Sequence, residues 1–146
     1  MGRGNRVLFI AHREELLAQC SARLAENGIE HGMIKAGHDP APGAQVQLAS
    51  IQTYRARLDR LGRGYPLVIV DECHHVTEDN SYGRALTANS GATIIGLTAT
   101  PYRLDGKGLG RTFDALVTVA STAQLIDQGY LVPTRMFVAQ RINLRG

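Results

Sequence analysis

At 146 residues, with 44% hydrophobic side chains and no low-complexity tract, the chain is long enough to bury the core of one globular domain, which excludes a disordered polypeptide. No apolar run approaches the ~20 residues that cross a bilayer, and no signal-peptide pattern opens the chain, so we expect a soluble cytoplasmic protein whose Cys20 and Cys73 stay reduced. The formal net charge is only +3, but 14 of the 16 basic residues are arginine, which favours a nucleic-acid partner or reflects the codon usage of a GC-rich genome.

Short apolar runs alternate with helical patterns along the chain. Strands are predicted at 6–11, 31–37, 46–51, 66–70, 93–97 and 134–140, and helices at 12–28, 52–62 and 121–129, with a weaker helical pattern over 77–90. The last helix begins with a capping box formed by Ser121 and Gln124 and ends at Gly129. Strands that alternate with helices predict an α/β fold, a parallel sheet with helices on both faces.

Two adjacent acids follow the most apolar of these strands. Burial of residues 67–70 is worth roughly 1.5–3 kcal/mol per side chain, so the strand is a firm support for Asp71 and Glu72 at its end. Ligands of open parallel sheets bind beyond the carboxyl ends of the strands. Two carboxylates about 4 Å apart repel by roughly 4 kcal/mol at an effective dielectric near 20, so the pair suggests a metal-bound phosphate beside it. Nucleotide hydrolysis fits, with Asp71 on the Mg²⁺ side and Glu72 polarising a water.

The same stretch allows three other interpretations. The acid pair can simply be the solvated end of a strand. Cys73, His74 and His75 can begin a zinc site, although consecutive residues rarely all reach one ion and no second Cys/His cluster lies elsewhere. Cys73 can be a nucleophile with a histidine base, although adjacent residues at a strand end tend to point apart.

Four motifs, in order and spacing, resemble those of superfamily 2 helicases. "DECH" at 71–74 resembles the DExH form of motif II, and "LTATP" at 97–101 resembles motif III. "AHREELLAQ" at 11–19 resembles motif Ia, and "ASIQT" at 49–53 resembles the later DNA-contacting motif. "GLTATPYRLDG" is typical of the branch that holds phage and repair DNA helicases and the motor subunits of type I and type III restriction enzymes. The resemblance implies that residues 1–146 are part of the first RecA-like motor domain of an ATP-dependent helicase or translocase.

The resemblance also implies roles for single residues. Asp71 would hold the Mg²⁺ of Mg-ATP through water, Glu72 would be the general base, and His74 would relay between the nucleotide and motif III. Thr98 and Thr100 would couple hydrolysis to domain movement, although ordinary β-branched strand residues would look the same. The residues that would contact the backbone of a DNA or RNA strand are Ala11, His12, Arg13, Gln52 and Thr53. For Arg13, the alternative is a solvated first-turn residue that binds nothing.

The chain departs from the family pattern in two places. Its 146 residues include neither a phosphate loop of the form GxxxxGKS/T nor a second motor domain. The resemblance implies Mg²⁺ and ATP as cofactors of the full-length protein, and we expect this chain alone to bind neither. Because the phosphate-loop lysine is missing, and because the arginine finger of the second domain is worth about 10³–10⁵ in rate in related enzymes, we also expect this chain to hydrolyse ATP at no useful rate. A catalytically inactive nucleic-acid-binding module is the main alternative, and a structural or interaction domain is the third.

The absent phosphate-loop segment has an expected structural consequence. In the family its strand lies beside the motif III strand, so residues 93–99 are expected to expose a sheet edge. That edge would otherwise pair with the run at 135–140 or with a second copy of the chain, which makes self-association an expected partner interaction.

Overall fold

A computed structural model describes residues 6–38, 40–61, 64–100 and 108–134 of the chain. The chain divides into two compact units, one formed by residues 1–114 and the other by residues 115–146. Across the described ranges, no helix is both long enough and apolar enough to cross a membrane.

The first unit is built on a five-stranded sheet in which every strand pair is parallel. The strand order is β2-β3-β1-β4-β5. The five strands are β1 Val7–Ala11, β2 His31–Ile34, β3 Val46–Ser50, β4 Leu67–Asp71 and β5 Thr93–Leu97. All five were predicted from the apolar runs of the sequence; of the further strand predicted at 134–140, residues 135–140 lie outside the described ranges.

The helices lie between the strands. They are α1 Glu14–Glu26, α2 Ile51–Ala56, α3 Leu58–Leu61, α4 Ser81–Thr87 and, in the second unit, α5 Thr122–Asp127. The single helix predicted over 52–62 is wrong, because Arg57 leaves the helical conformation with φ −116° and ψ 13° and separates α2 from α3. One non-helical residue leaves the spacing of apolar side chains unchanged, so the sequence pattern could not reveal this break.

Both faces of the sheet carry helices, as predicted, because the strand side chains alternate between two cores. Leu8 and Ile10 of β1 belong to the larger core, which also contains residues of α2 and α4. Phe9 and Ala11, the intervening residues, belong to a smaller core with Leu17 of α1. The parallel sheet therefore receives α1 on one side and α2 and α4 on the other.

A buried amide fixes the loop that leads into β4. Asn89, 2% exposed, donates from Nδ2 to the Tyr54 hydroxyl and to the Ala85 carbonyl, both at 2.9 Å. Its Oδ1 accepts from the backbone N–H groups of Gly64 and Tyr65, both at 3.3 Å. All hydrogen-bonding groups of this amide are satisfied, so it ties α2, α4 and the start of β4 together without an unpaired buried polar atom.

The second unit confirms the predicted helix start. Ser121 Oγ accepts from Gln124 N at 3.2 Å, and the Gln124 side chain accepts from Ser121 N at 2.8 Å, which is a complete capping box. Gly129 follows the helix with φ 78°, a conformation that favours glycine.

Among the described residues, strand β5 forms one edge of the sheet, and much of its apolar surface is accessible. Ile95 and Leu97 are 43% and 46% exposed, whereas the inner strand β4 buries Val68 and Val70 completely. The expected self-association through this edge stays a prediction. Cys20 and Cys73 are both free thiols, as expected.

Candidate functional site

The carboxyl ends of four strands bring the predicted site residues to one crest of the sheet. Strand β1 pairs in parallel with β3 on one side and with β4 on the other, in both cases through Val7, Leu8, Phe9 and Ile10. Asp71 of β4 lies opposite Leu97 of β5. Residues that follow these strands therefore emerge close together. They include His12 after β1, Gln52 after β3, Glu72 and His74 after β4, and Thr98 after β5.

Asp71 is the last residue of β4 and is half-buried. Alternation along β4 puts Asp71 on the face opposite Val68 and Val70, which belong to the larger core, so its carboxylate lies on the α1 side of the sheet. Burial raises the pKa of the Cys20 thiol on α1, and the Asp71 carboxylate raises this pKa further. The carboxylate makes no hydrogen bond or ion pair with any residue in the described ranges. Its oxygens are therefore available to an external ligand.

Glu72 adopts a left-handed backbone conformation, with φ 52° and ψ 48°. Within the described ranges it is the one residue other than glycine with a positive φ. An L-residue pays roughly 1–2 kcal/mol for this conformation, and such strain concentrates at functional sites. The left-handed residue turns the chain sharply out of β4 into a 3-10 turn at Cys73–His75.

His74 connects the acid at the end of β4 with the residues after β5. Its Nδ1 lies 3.2 Å from Glu72 Oε2, 2.9 Å from Thr98 Oγ1 and 3.3 Å from Thr100 Oγ1. The Thr98 hydroxyl donates its single hydrogen to the Thr100 carbonyl at 3.1 Å, so it accepts from His74. We therefore assign a proton to Nδ1, from which it is shared between the carboxylate and the hydroxyl.

Thr98 and Thr100 form a short turn held by one hydroxyl. Thr98 Oγ1 also accepts from the Thr100 N–H at 3.1 Å, in addition to donating to the Thr100 carbonyl. This local bonding replaces the ladder of β5 where the strand ends. The two threonines are thus not strand residues, and the interpretation of them as ordinary β-branched strand positions is wrong.

Cys73 points away from these groups into the larger core. It is 2% exposed, and burial raises the pKa of its thiol, with a smaller contribution from Glu72 and Asp71. A Cβ on Gly96 would lie 2.7 Å from its Sγ, so the thiol is packed tightly under β5. A buried, protonated thiol is a poor nucleophile and cannot share an ion with the exposed His75. In the described part of the chain, no group of three or more His, Cys, Asp or Glu is arranged to hold a metal ion.

The predicted nucleic-acid residues lie at the other end of the same crest. Gln52 Nε2 donates to His12 Nδ1 at 3.0 Å, and Ser50 Oγ donates to Gln52 Oε1 at 2.7 Å. His12, Arg13 and Gln52 are exposed, and Arg13 immediately precedes α1. Thr53 is half-buried inside α2 and has no side-chain hydrogen bond with another residue of this group in the described ranges.

Two residues that sequence reasoning missed lie beside the acids. The His75 ring is centred 4.1 Å from that of His74 and 6.5 Å from that of His12. Partial desolvation and the His74 imidazole lower the pKa of His75, whereas Glu72 opposes this shift. The doubled histidine after the acid pair was a usable signal, but for His75 it was interpreted only as a zinc ligand or as the base of a Cys73 nucleophile.

The second missed residue is Tyr82 of α4. It is 5% exposed, and its hydroxyl has no hydrogen-bond partner among the residues that the structure describes. Burial raises the pKa of Tyr82 to about 12, and the charges of Asp71 and Glu72 add to the effect. A tyrosine within a weak helical pattern gave no sequence signal of this proximity.

Comparison with known proteins identifies the family. Residues 1–103 match the family model described as the type III restriction enzyme res subunit. The chain belongs to this family. The res-subunit match, together with helicase relatives, makes the chain part of the first motor domain of a superfamily 2 helicase.

Two relatives and one solved structure illustrate this membership. A 51.5 kDa protein of a Lactococcus phage is 29% identical over 97% of this chain and 28% of its own length. The putative mitochondrial ATP-dependent helicase irc3 of Schizosaccharomyces pombe is 34% identical over 88% of this chain and 23% of its own length. The Pyrococcus furiosus Hef helicase domain shares the fold at a TM-score of 0.55 and 21% identity, covering 67% of this chain and 24% of that structure. The chain thus spans about a quarter of these proteins.

The ATP-dependent helicase relatives imply a Mg²⁺–ATP complex in the full-length protein, and the acids at the crest match part of what such a complex requires. Mg²⁺ bound to nucleotides takes one or two carboxylates from the protein and fills its other positions with waters and phosphate oxygens. Asp71 offers such a carboxylate, half-buried and without a described partner, at the end of a rigid strand. The donor set fits the acid side of a Mg²⁺–nucleotide site, whereas the sequence contains no GxxxxGKS/T loop for the phosphates.

Proposed function

We propose that this chain supplies the acid side of the ATP site and part of the nucleic-acid track of an ATP-dependent DNA helicase or translocase. The observation that carries the proposal is the contact of His74 Nδ1 with both Glu72 and Thr98. This contact joins Glu72, the proposed base for hydrolysis, to the Thr98–Thr100 turn, which is proposed to couple hydrolysis to domain movement. The helicase relatives support the same activity class.

Each residue at the acid end has a distinct proposed part. Bound Mg²⁺ would offset the charge that develops on the phosphates, and Asp71 would hold it through a water. Glu72 would accept the proton of the attacking water. His74 orients the Glu72 carboxylate with its Nδ1–H, and the same N–H contacts Thr98, so a change at the carboxylate is transmitted to the 98–100 turn.

The exposed residues after β1 and β3 are proposed to contact the backbone of the tracked strand. Arg13 provides a fork of donors for phosphate oxygens, while His12 and Gln52 are held together by a hydrogen bond; Thr53 adds a position one residue further on. Contacts to phosphate carry no sequence information, which suits a motor that moves along any sequence.

Binding to a labelled single-stranded oligonucleotide at several salt concentrations tests the nucleic-acid part. Each phosphate contact on a single strand adds about 0.7 to the slope of log K against log salt. We expect a salt-dependent affinity, and Arg13→Gln should reduce that slope by about 0.7. Arg23→Gln is the matched control, since Arg23 lies in the last turn of α1, pairs with Glu26 at 2.9 Å and should leave the slope unchanged. Salt-independent binding, or none, would favour a structural or interaction domain.

ATP hydrolysis by the chain, with and without single-stranded DNA, separates a motor from a binding module. We expect no turnover above background in either condition, because the sequence lacks the phosphate loop and the lysine within it. If the oligonucleotide binds and no ATP is hydrolysed, the chain binds the nucleic-acid track but needs further elements for catalysis. DNA-stimulated turnover would overturn the expected inactivity.

A further inference from the structure

A row of five side chains connects the two ends of the crest. Gln52 donates to His12 at 3.0 Å, the His12 and His75 rings are 6.5 Å apart at 45°, and the His75 and His74 rings are 4.1 Å apart at 46°. His74 then contacts Thr98 at 2.9 Å. The row crosses from the end of β3, over those of β1 and β4, to that of β5.

Within this row, His75 is the one residue without a role in either the proposed acid site or the proposed nucleic-acid track. We propose that His75 is the positioning residue that transmits occupation of the His12 and Gln52 surface by a nucleic-acid backbone to His74 and the Thr98–Thr100 turn. The proposal rests on the nucleic-acid function proposed above. The proposal adds His75 as a link between His12 and His74, ahead of the contact between His74 and the two threonines.

The physical basis is the ring contact on both sides of His75. Ring centroids 4.5–7 Å apart are in the range of interacting aromatic pairs, and the 4.1 Å separation from His74 is closer still. Both His12 and Gln52 are exposed, and we expect a phosphate bound there to reorient the His12 ring. Because the His75 ring lies between those of His12 and His74, we expect this movement to pass through His75 to His74.

Hydrogen bonds at the two ends of the row restrict which of its side chains can move. Gln52 is anchored by Ser50 at 2.7 Å, and Ser50 is 6% exposed at the end of β3. At the other end, the His74 Nδ1 has Glu72 at 3.2 Å and the threonine turn as alternative acceptors. A displaced His74 ring therefore changes the balance between carboxylate and hydroxyl, which alters the environment of both threonine methyl groups.

Methyl and imidazole NMR of the 146-residue chain, titrated with an oligothymidylate, tests the proposal. In the wild type we expect the His12 ring signals and the Thr98 and Thr100 methyl signals to shift together as the oligonucleotide binds. In His75→Ala the affinity should stay within about twofold and the His12 shifts should persist, whereas the threonine shifts should be lost. His75→Phe keeps a ring at this position and should restore the threonine shifts, and the control His38→Ala, an exposed histidine after β2, should leave every shift intact.

Each other result has a distinct meaning. If the oligonucleotide binds the wild type without moving the threonine methyl signals, or moves them equally in His75→Ala, the proposal for His75 is overturned while nucleic-acid binding stands. Loss of binding in His75→Ala also overturns it, since His75 would then belong to the binding surface itself. If the wild type does not bind, the proposed function fails first.

Discussion

The Nδ1 atom of His74 lies 3.2 Å from the Oε2 atom of Glu72, and Glu72 reaches it from a left-handed backbone conformation. The two features belong together, because the left-handed residue makes the sharp turn that folds the 3-10 turn back beside the carboxylate. The strain at Glu72 is therefore the conformational cost of placing an acid and an imidazole two residues apart in contact.

Glycine should be better tolerated than alanine at position 72. Both substitutions remove the carboxylate, but alanine keeps the left-handed strain and glycine does not. We expect Glu72→Gly to be more stable than Glu72→Ala by about 1 kcal/mol in urea unfolding. Glu78, an exposed acid without a positive φ, is the matched control, and there alanine should be more stable than glycine by about 0.5–1 kcal/mol. The same order at both positions would mean that Glu72 carries no backbone strain.

A side chain at Gly96 should disturb the support beneath the site. A Cβ there would lie 2.6 Å from Phe113 Cζ and 2.7 Å from Cys73 Sγ, so Gly96→Ala forces two packed side chains to move. We expect a loss of about 1–3 kcal/mol in the free energy of unfolding. Gly91→Ala is the control, since nothing lies within 4 Å of its Cβ, and it should gain about 0.4–1 kcal/mol.

A second variant keeps the Gly96 prediction specific. Adding Phe113→Leu to Gly96→Ala shortens the side chain that the new methyl meets, and should recover part of the lost stability. No recovery, or no loss in Gly96→Ala, would show that the contact among β5, Cys73 and Phe113 is not close-packed.

The buried Tyr82 hydroxyl should make stability fall in alkaline solution. Its pKa is raised to about 12 in the folded chain, above the ordinary value of 10.0, so the folded state holds this proton more tightly than the unfolded state. Its contribution is fully present below pH 10 and is lost as pH rises towards about 12, a change of about 2–3 kcal/mol. In Tyr82→Phe this step should disappear, which isolates it from Tyr65, whose pKa burial also raises. An identical pH profile for both proteins would contradict the assignment.

The same variant should be tolerated at neutral pH. The Tyr82 hydroxyl is buried with no described hydrogen-bond partner, so its removal leaves no group newly unpaired and should change stability little or increase it. A loss above about 2 kcal/mol would show that the hydroxyl has a partner.

Sequence patterns predicted the sheet because each strand is a short, largely apolar or alternating run between turn residues. His12 and Gln52 were named from the motif resemblance, and they lie at the crest because a residue that follows a parallel strand emerges at its carboxyl end. Their contact with nucleic acid stays a prediction. Sequence patterns could not show that Arg57 breaks a helix or that Tyr82 approaches the acids. Such features depend on one backbone angle or one rotamer in a packed core, which no spacing of residue types encodes.

The left-handed turn at Glu72 and the inward side chain of Cys73 were equally hidden. In "DECHH" the five side chains are adjacent in sequence, yet the structure sends Cys73 into the core and His74 towards Thr98. The direction of the 3-10 turn alone determines that Cys73 points into the core while His74 points towards Thr98. It separates a cysteine packed in the core from a neighbouring histidine that contacts Glu72 and Thr98.

The central claim is that Asp71 faces a Mg²⁺-bound triphosphate, and paramagnetic broadening by Mn²⁺–ATP measures this most directly. Mn²⁺ takes the place of Mg²⁺, and because no stable complex with ATP is expected without a phosphate loop, Mn²⁺–ATP is added in excess so that broadening reports transient encounters with the crest. We predict broadening centred on the backbone signals of residues 70–73, lost in Asp71→Asn and retained in Asp79→Asn, an exposed acid of the same type. Broadening centred elsewhere, or unchanged by Asp71→Asn, would contradict the claim.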